Sequence, residues 1–242
     1  MRVMQRVARR ILAALDDETK FDCGVPSMWG SLGHLSRSFR PGGIIDIGAN
    51  VGDWGRAASK IFDCPVHMIE AQPRLEPHLR KTHLPYTITL LGPEARREVP
   101  FILSGTGSSV LKELTGFETE QTMLPMRRLD DLALHLSPPL LLKLDVQGFE
   151  LEVLKGAPET LRQTEVVLSE ISLIPYNEGA PLMHEVISYL AERDFLPYDI
   201  CGGWRRQSDG ALAQTDMIFV RRDSDLRAYR RFWDCEPELS NV

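Results

Sequence analysis

Across residues 44–220, short continuously apolar runs alternate with stretches whose apolar residues recur every three or four positions. The runs predict strands, and the spaced stretches predict helices. A first strand falls at 44–47. A helix follows at 53–62, with Trp54, Ala57, Ala58 and Ile61 on one face. Strands at 66–69 and 86–91 flank a helix at 73–81, and 99–103 reads as a further strand pairing nearby. Residues 140–144 form an apolar strand broken only by Lys143. A helix at 150–155 ends near Gly156, with a further turn at 158–162. A strand at 166–169 and a helix at 183–193 follow, the helix with Val186, Ile187 and Leu190 inward. Strands at 196–200 and 217–220 close the series, separated by the turn-rich 202–210.

Strands that are apolar throughout, alternating with helices, predict a parallel sheet covered on both faces. The closing pair has no helix between its strands, so the last strand is expected to run antiparallel. That ending separates a Rossmann-like, methyltransferase-type seven-stranded sheet from a dinucleotide-binding one. Upstream, helices are expected at 2–15 and 27–38, the second capped by Ser27. Arg40-Pro41-Gly42-Gly43 breaks the chain before the first strand. Three regions result: N-terminal helices at 1–40, an α/β domain at 41–225 and a tail at 226–242.

Composition narrows the function. With 28 basic and 34 acidic residues the net charge is −6, against the basic footprint of a nucleic-acid partner. Cys23, Cys64, Cys201 and Cys235 are scattered without Cys-x-x-Cys spacing, which argues against structural zinc and for reduced thiols in a cytoplasmic protein. No apolar run reaches the roughly 18 residues of a membrane span. The opening MRVMQRVARRILAAL is basic and amphipathic and lacks a signal-peptide core. It is expected to pack on the body or on a second copy as a homodimer, contact with a membrane surface being the alternative.

In an open α/β sheet, ligands bind beyond the carboxyl ends of the strands. Asp46, Glu70 and Asp145 sit at predicted strand ends, and Gly48 and Gly52 punctuate the first turn. A carboxylate at the end of strand two, as Glu70 is, can accept from both hydroxyls of a ribose. Asp46 and Asp53 around the turn would repel a pyrophosphate. They suit a ligand with an ammonium and a sulfonium, S-adenosylmethionine (SAM).

Asp46-Ile47-Gly48-Ala49-Asn50-Val51-Gly52 resembles the first SAM motif of the FkbM-type methyltransferases. Leu142-Lys143-Leu144-Asp145-Val146-Gln147-Gly148-Phe149-Glu150 resembles that family's second signature, Lys-x-Asp-x-Glu-Gly-x-Glu. Leu154-Lys155-Gly156-Ala157 and Leu168-Ser169-Glu170-Ile171 continue the pattern, and Thr215-Asp216-Met217-Ile218-Phe219 resembles its closing Asp-x-x-Phe strand. Gln147 departs from it, standing where the family usually has Glu, which removes a charge beside the site. The resemblance implies a class I SAM methyltransferase fold and methyl transfer, usually to a hydroxyl oxygen, with S-adenosylhomocysteine (SAH) as product. Asp46, Gly48, Ala49, Asn50 and Gly52 would wrap the methionine and ribose side. Glu70 would hold the ribose, and Ala71 and Gln72 would border the adenine, with Gly92 and Pro93 near its edge. Asp145 would sit beside the methionine or the acceptor.

A hydroxyl acceptor must lose its proton as the new bond forms, and Asp145, Glu150, Glu170 and His184 are the candidate bases. Glu170 is favoured, because it interrupts an apolar strand end where burial raises a carboxyl pKa. Lys143, inside an apolar strand, needs an acid to pair with, and Glu170 is the expected one. The hydroxyl-rich loop 104–109 is expected to close over the site. Trp29, Trp204, Tyr176 and Asn177 would form an acceptor pocket for a sugar, glycan or natural-product small molecule. No metal site is evident. The alternatives are a nucleic-acid methyltransferase, a non-catalytic SAM-fold partner and a nicotinamide-dependent oxidoreductase.

Overall fold

The computed structural model describes residues 26–104, 107–114 and 120–228. The expected helix 2–15, Cys23, Cys235 and most of the tail 226–242 lie outside them. In chain order the elements are α1 (Met28–Ser38), β1 (Gly43–Ile47), α2 (Asp53–Phe62), β2 (Val66–Glu70), α3 (Glu76–Thr82), β3 (Tyr86–Ile88), β4 (Leu90–Leu91), β5 (Arg96–Leu103) and β6 (Glu120–Arg127). They continue with β7 (Leu140–Leu144), α4 (Glu150–Lys155), α5 (Pro158–Gln163), β8 (Thr164–Ser172), α6 (Met183–Ala191), β9 (Phe195–Arg205), β10 (Leu212–Arg221) and α7 (Asp225–Ala228). Ser27 caps α1 as expected, its Oγ accepting from the Gly30 amide at 3.2 Å.

Seven strands form one sheet in the order β3-β2-β1-β7-β8-β10-β9. Neighbours from β3 to β8 run parallel, and β10 lies antiparallel between β8 and β9. This is the Rossmann-like class I methyltransferase arrangement expected from the pattern, with the reversed strand inserted one place in from the edge. β1 and β7 are buried along their whole length, as all-apolar central strands must be. Leu142, Leu144, Val153, Val186 and Leu190 belong to the core on one face. Leu32, Ile44, Ala58, Met68 and Leu79 belong to the core on the other.

The expected third strand at 86–91 divides at Thr89. Its first half pairs with β2. Its second half, β4, joins β6 in a separate three-stranded sheet, order β4-β6-β5. β6 is absent from the sequence expectation. Among the described residues no helix is long and apolar enough to cross a membrane.

Candidate functional site

A cleft of about 440 Å³ opens beyond the carboxyl ends of β1, β2, β7 and β8. Its two ends are built differently. At one end lies Glu70, the last residue of β2 and 5% exposed. Its Oε2 accepts from the Asn50 amide at 2.8 Å and its Oε1 from the Gln72 amide at 2.9 Å. Burial pushes this carboxyl above its ordinary value, against the pull of those amides. Two backbone donors fix both oxygens and leave further lone pairs for a ligand diol. Ile69, Leu90, Leu91 and Phe101 supply an apolar wall beside it, suited to a flat aromatic base.

The middle is the turn after β1. Gly48 has φ +76°, and a Cβ there would meet the Asp145 carbonyl oxygen at 1.9 Å. The glycine therefore lets the β1 turn close onto the β7 turn. Lys143 locks the same junction from below. Its Nζ lies 3.2 Å from Asp46 Oδ1, 3.4 Å from Asp145 Oδ2 and 3.2 Å from the Gly48 carbonyl oxygen, and 5.6 Å from the Trp54 ring centre. Burial pulls the ammonium down, but the two aspartates outweigh it and hold Lys143 above its ordinary value. Asp46 is 0% exposed and is engaged by charge, with no well-aligned hydrogen bond to either oxygen. Burial drives its carboxyl up, and Lys143 opposes this.

At the far end, β7 and β8 deliver acids side by side. Leu144 is in register with Ser169, so Asp145 and Glu170 emerge next to each other. Gln147, at φ +56°, bridges them: its Nε2 donates to Asp145 Oδ1 and to Glu170 Oε2, each at 2.9 Å. Gln214 Nε2 donates to the same Glu170 oxygen at 3.2 Å. Asp216 is the register partner of Glu170 across β10. Glu150 closes the loop beneath, its Oε1 accepting from the Val146 and Gly148 amides at 3.0 and 3.1 Å. Burial, reinforced by Asp145, Glu150 and Asp216, pushes Glu170 up to about 9. Burial also lifts Glu150 to about 7, despite its backbone donors, and Asp216 to about 6. In the ligand-free protein these neighbours therefore favour a bound proton on Glu170.

Tyr176 and Trp204 also line this end, their rings edge to face with centres 6.0 Å apart. The Tyr176 hydroxyl donates to Glu113 Oε1, which ties it to the segment 107–114. Ser109 Oγ and Asn177 Nδ2 both donate to the Gln147 carbonyl oxygen, at 2.8 and 2.6 Å, clasping the β7 turn.

Of the residues predicted for the site, Gly48, Asn50, Glu70, Ala71, Gln72, Asp145 and Glu170 line the one cleft. Four do not. Asp46 lies inside β1 and supports Lys143. Ala49 is 4% exposed and packs in the core. Gly52 faces inward, and a Cβ there would meet Thr82 Cγ2 at 2.7 Å. His184 is exposed on α6, away from the cleft, so no contact there supports a role as base. Lys143 pairs with Asp46 and Asp145, not with Glu170, because β1 sets Asp46 directly opposite it. Trp29 stacks on Trp54 with ring centres 6.3 Å apart, outside the cleft. Gly92 packs against Met126 rather than lining the cleft, where Thr89, Leu90 and Leu91 stand instead. Gln214 and Phe101 were missed. Gln214 sits two residues before Asp216 on the closing strand, and that spacing was the available signal.

Residues 46–197 match the family model described as the Methyltransferase FkbM domain. None of the curated proteins compared matches the chain. Solved structures similar to it include a magnesium protoporphyrin IX methyltransferase from Synechocystis PCC 6803 with bound SAM, at 10% identity and TM-score 0.44, covering 90% of this chain and 79% of that one. A putative RNA methyltransferase from Pyrococcus horikoshii is 10% identical at TM-score 0.45, over 80% and 82% of the two chains. A precorrin-6y C5,15-methyltransferase from Geobacter metallireducens GS-15 is 10% identical at TM-score 0.42, over 80% and 87%.

Proposed function

This chain belongs to the FkbM methyltransferase family and is a SAM-dependent methyltransferase, and we propose on that premise that it methylates a hydroxyl oxygen on a sugar, glycan or natural-product small molecule. The observation that carries the reading is the two-ended cleft, with a glutamate clamped by backbone amides at one end and a glutamate held by two side-chain amides among other acids at the other.

The donor set fits SAM. Glu70, oriented by the Asn50 and Gln72 amides, holds the ribose hydroxyls. The Ile69, Leu90, Leu91 and Phe101 side chains receive the adenine, with Ala71 and Gln72 along its edge. Gly48 and Asn50 lie along the methionine side, and Asp145 gives its charge to the cationic end. Asp46 acts through Lys143, as the positioning residue that fixes the turn.

SAM, when bound, supplies an activated methyl group on sulfur. The chain's own work is to position the acceptor in line and to take its proton. Glu170 is the residue placed for that second task, because both amide donors fall on Oε2 and leave Oε1 toward a proton. Tyr176 and Trp204 offer the acceptor an aromatic surface at the mouth.

Incubation with methyl-labelled SAM and fractionated small-molecule extract tests the reading. Label is expected in a hydroxylated product and in an alkali-stable linkage, as an ether is. Label that alkali releases would mean a carboxyl ester, and label in nucleic acid would mean a different acceptor class; either would overturn it.

A further inference from the structure

The far end of the cleft carries more acid than a cationic ligand needs. Glu170 from β8 and Asp145 from the end of β7 line it, and Glu150 from α4 and Asp216 from β10 act on Glu170 from behind. Lys143, the cation beneath them, is already held between Asp46 and Asp145. Gln147 and Gln214 hold Glu170 in place by donating to Oε2, and an amide cannot take up a proton. Among the described residues, Oε1 has no hydrogen-bond partner and belongs to a carboxyl that lines the cleft. Glu170 is half-buried, with the charges of buried Lys143 and Glu150 acting on it, so a charge that arrives or leaves is better tolerated when it is balanced.

Methyl transfer changes that charge. The donor enters as a sulfonium cation and leaves as a neutral thioether. We propose that Glu170, steadied by Gln147 and Gln214, exchanges a proton for the sulfonium charge, so that the cleft distinguishes fresh cofactor from spent product by one proton. The inference rests on the SAM reading above. The Glu170 carboxyl releases its proton to solvent when the sulfonium arrives. In the reaction the O–CH3 bond forms, the S–CH3 bond breaks with its electron pair remaining on sulfur, and the acceptor's hydroxyl proton passes to Glu170 Oε1. The summed charge of the cleft is the same before and after the step. The high position of the carboxyl, at about 9, agrees with a group that holds a proton until a cation displaces it.

Calorimetric titration of wild-type protein with SAM and with SAH, each in phosphate and in Tris buffer, counts the protons. The two ligands share amino acid, ribose and base, so their difference isolates the sulfonium. SAM is expected to release about one proton more than SAH, and SAM affinity to rise relative to SAH by up to about tenfold per pH unit from pH 7 toward 9. Glu170→Gln should abolish the difference while SAM still binds. Asp216→Asn removes a like charge and should lower the pH at which SAM affinity levels off. Equal proton counts for the two ligands in wild type would overturn the proposal, as would a difference that survives in Glu170→Gln. Absence of heat with either ligand would instead overturn the SAM reading itself.

Discussion

The two ends of the cleft each present a glutamate, one buried and one half-buried, and they hold it by opposite means. Glu70 is gripped by two backbone amides, Asn50 in the turn after β1 and Gln72 just past the end of β2. Glu170 is gripped by two side-chain amides on a single oxygen, among three other acids. Backbone donors stabilise a fixed negative charge, and like-charge neighbours favour a bound proton. The first arrangement suits holding a neutral diol in one geometry. The second suits moving a proton. β2 and β8 are three strands apart in the sheet, so the two carboxyls stand roughly 14 Å apart at about 4.8 Å per strand. That span accommodates a cofactor with its acceptor beyond it.

The sharpest break in this contrast is Glu170→Gln. It keeps the shape and removes the proton acceptor, so turnover at saturating SAM should fall roughly 10²–10⁴-fold. Unchanged turnover in single-turnover assays would assign the base elsewhere. Next, Lys143→Met removes the ammonium that ties the two halves together and strands Asp46 in the core. Urea denaturation should show a loss of about 3–5 kcal/mol, mostly restored by adding Asp46→Asn. Additive losses would mean that the pair is not coupled. At the other end, Glu70→Ala should weaken SAM by about 1.5–3 kcal/mol, read by calorimetry, without moving the pH profile of turnover.

A further contrast lies in the pH dependence of the free protein's stability. The Glu170 carboxyl sits near 9 when folded, against about 4.3 in an unfolded chain. The folded chain holds the extra proton between those values. Its contribution is therefore complete below about pH 4 and is lost as pH rises toward 9. The melting temperature of Glu170→Gln should fall less steeply over that window than that of wild type, and parallel curves would contradict the assignment.

The parallel sheet and the strand-end acids were legible because both are local patterns. Strands 140–144 and 166–169 are apolar throughout, and Asp145 and Glu170 each follow such a run. What escaped was cross-strand register. Nothing along the chain says that Asp46 faces Lys143, or that Glu170 faces Asp216, so Lys143 was matched to the wrong acid. β6 escaped because its inward residues, Leu124 and Met126, flank Pro125 and an exposed Met123 blurs the alternation. Such a strand is hard to tell from a loop. Gly52 and Gly48 look alike in sequence, and only packing shows that one meets Thr82 and the other the Asp145 carbonyl.

A crystal structure of the complex with SAH tests the two-ended cleft most directly. The account predicts both ribose hydroxyls within hydrogen-bond distance of Glu70 and the sulfur directed toward Glu170. A ribose away from Glu70, or a sulfur turned from Glu170, would contradict it.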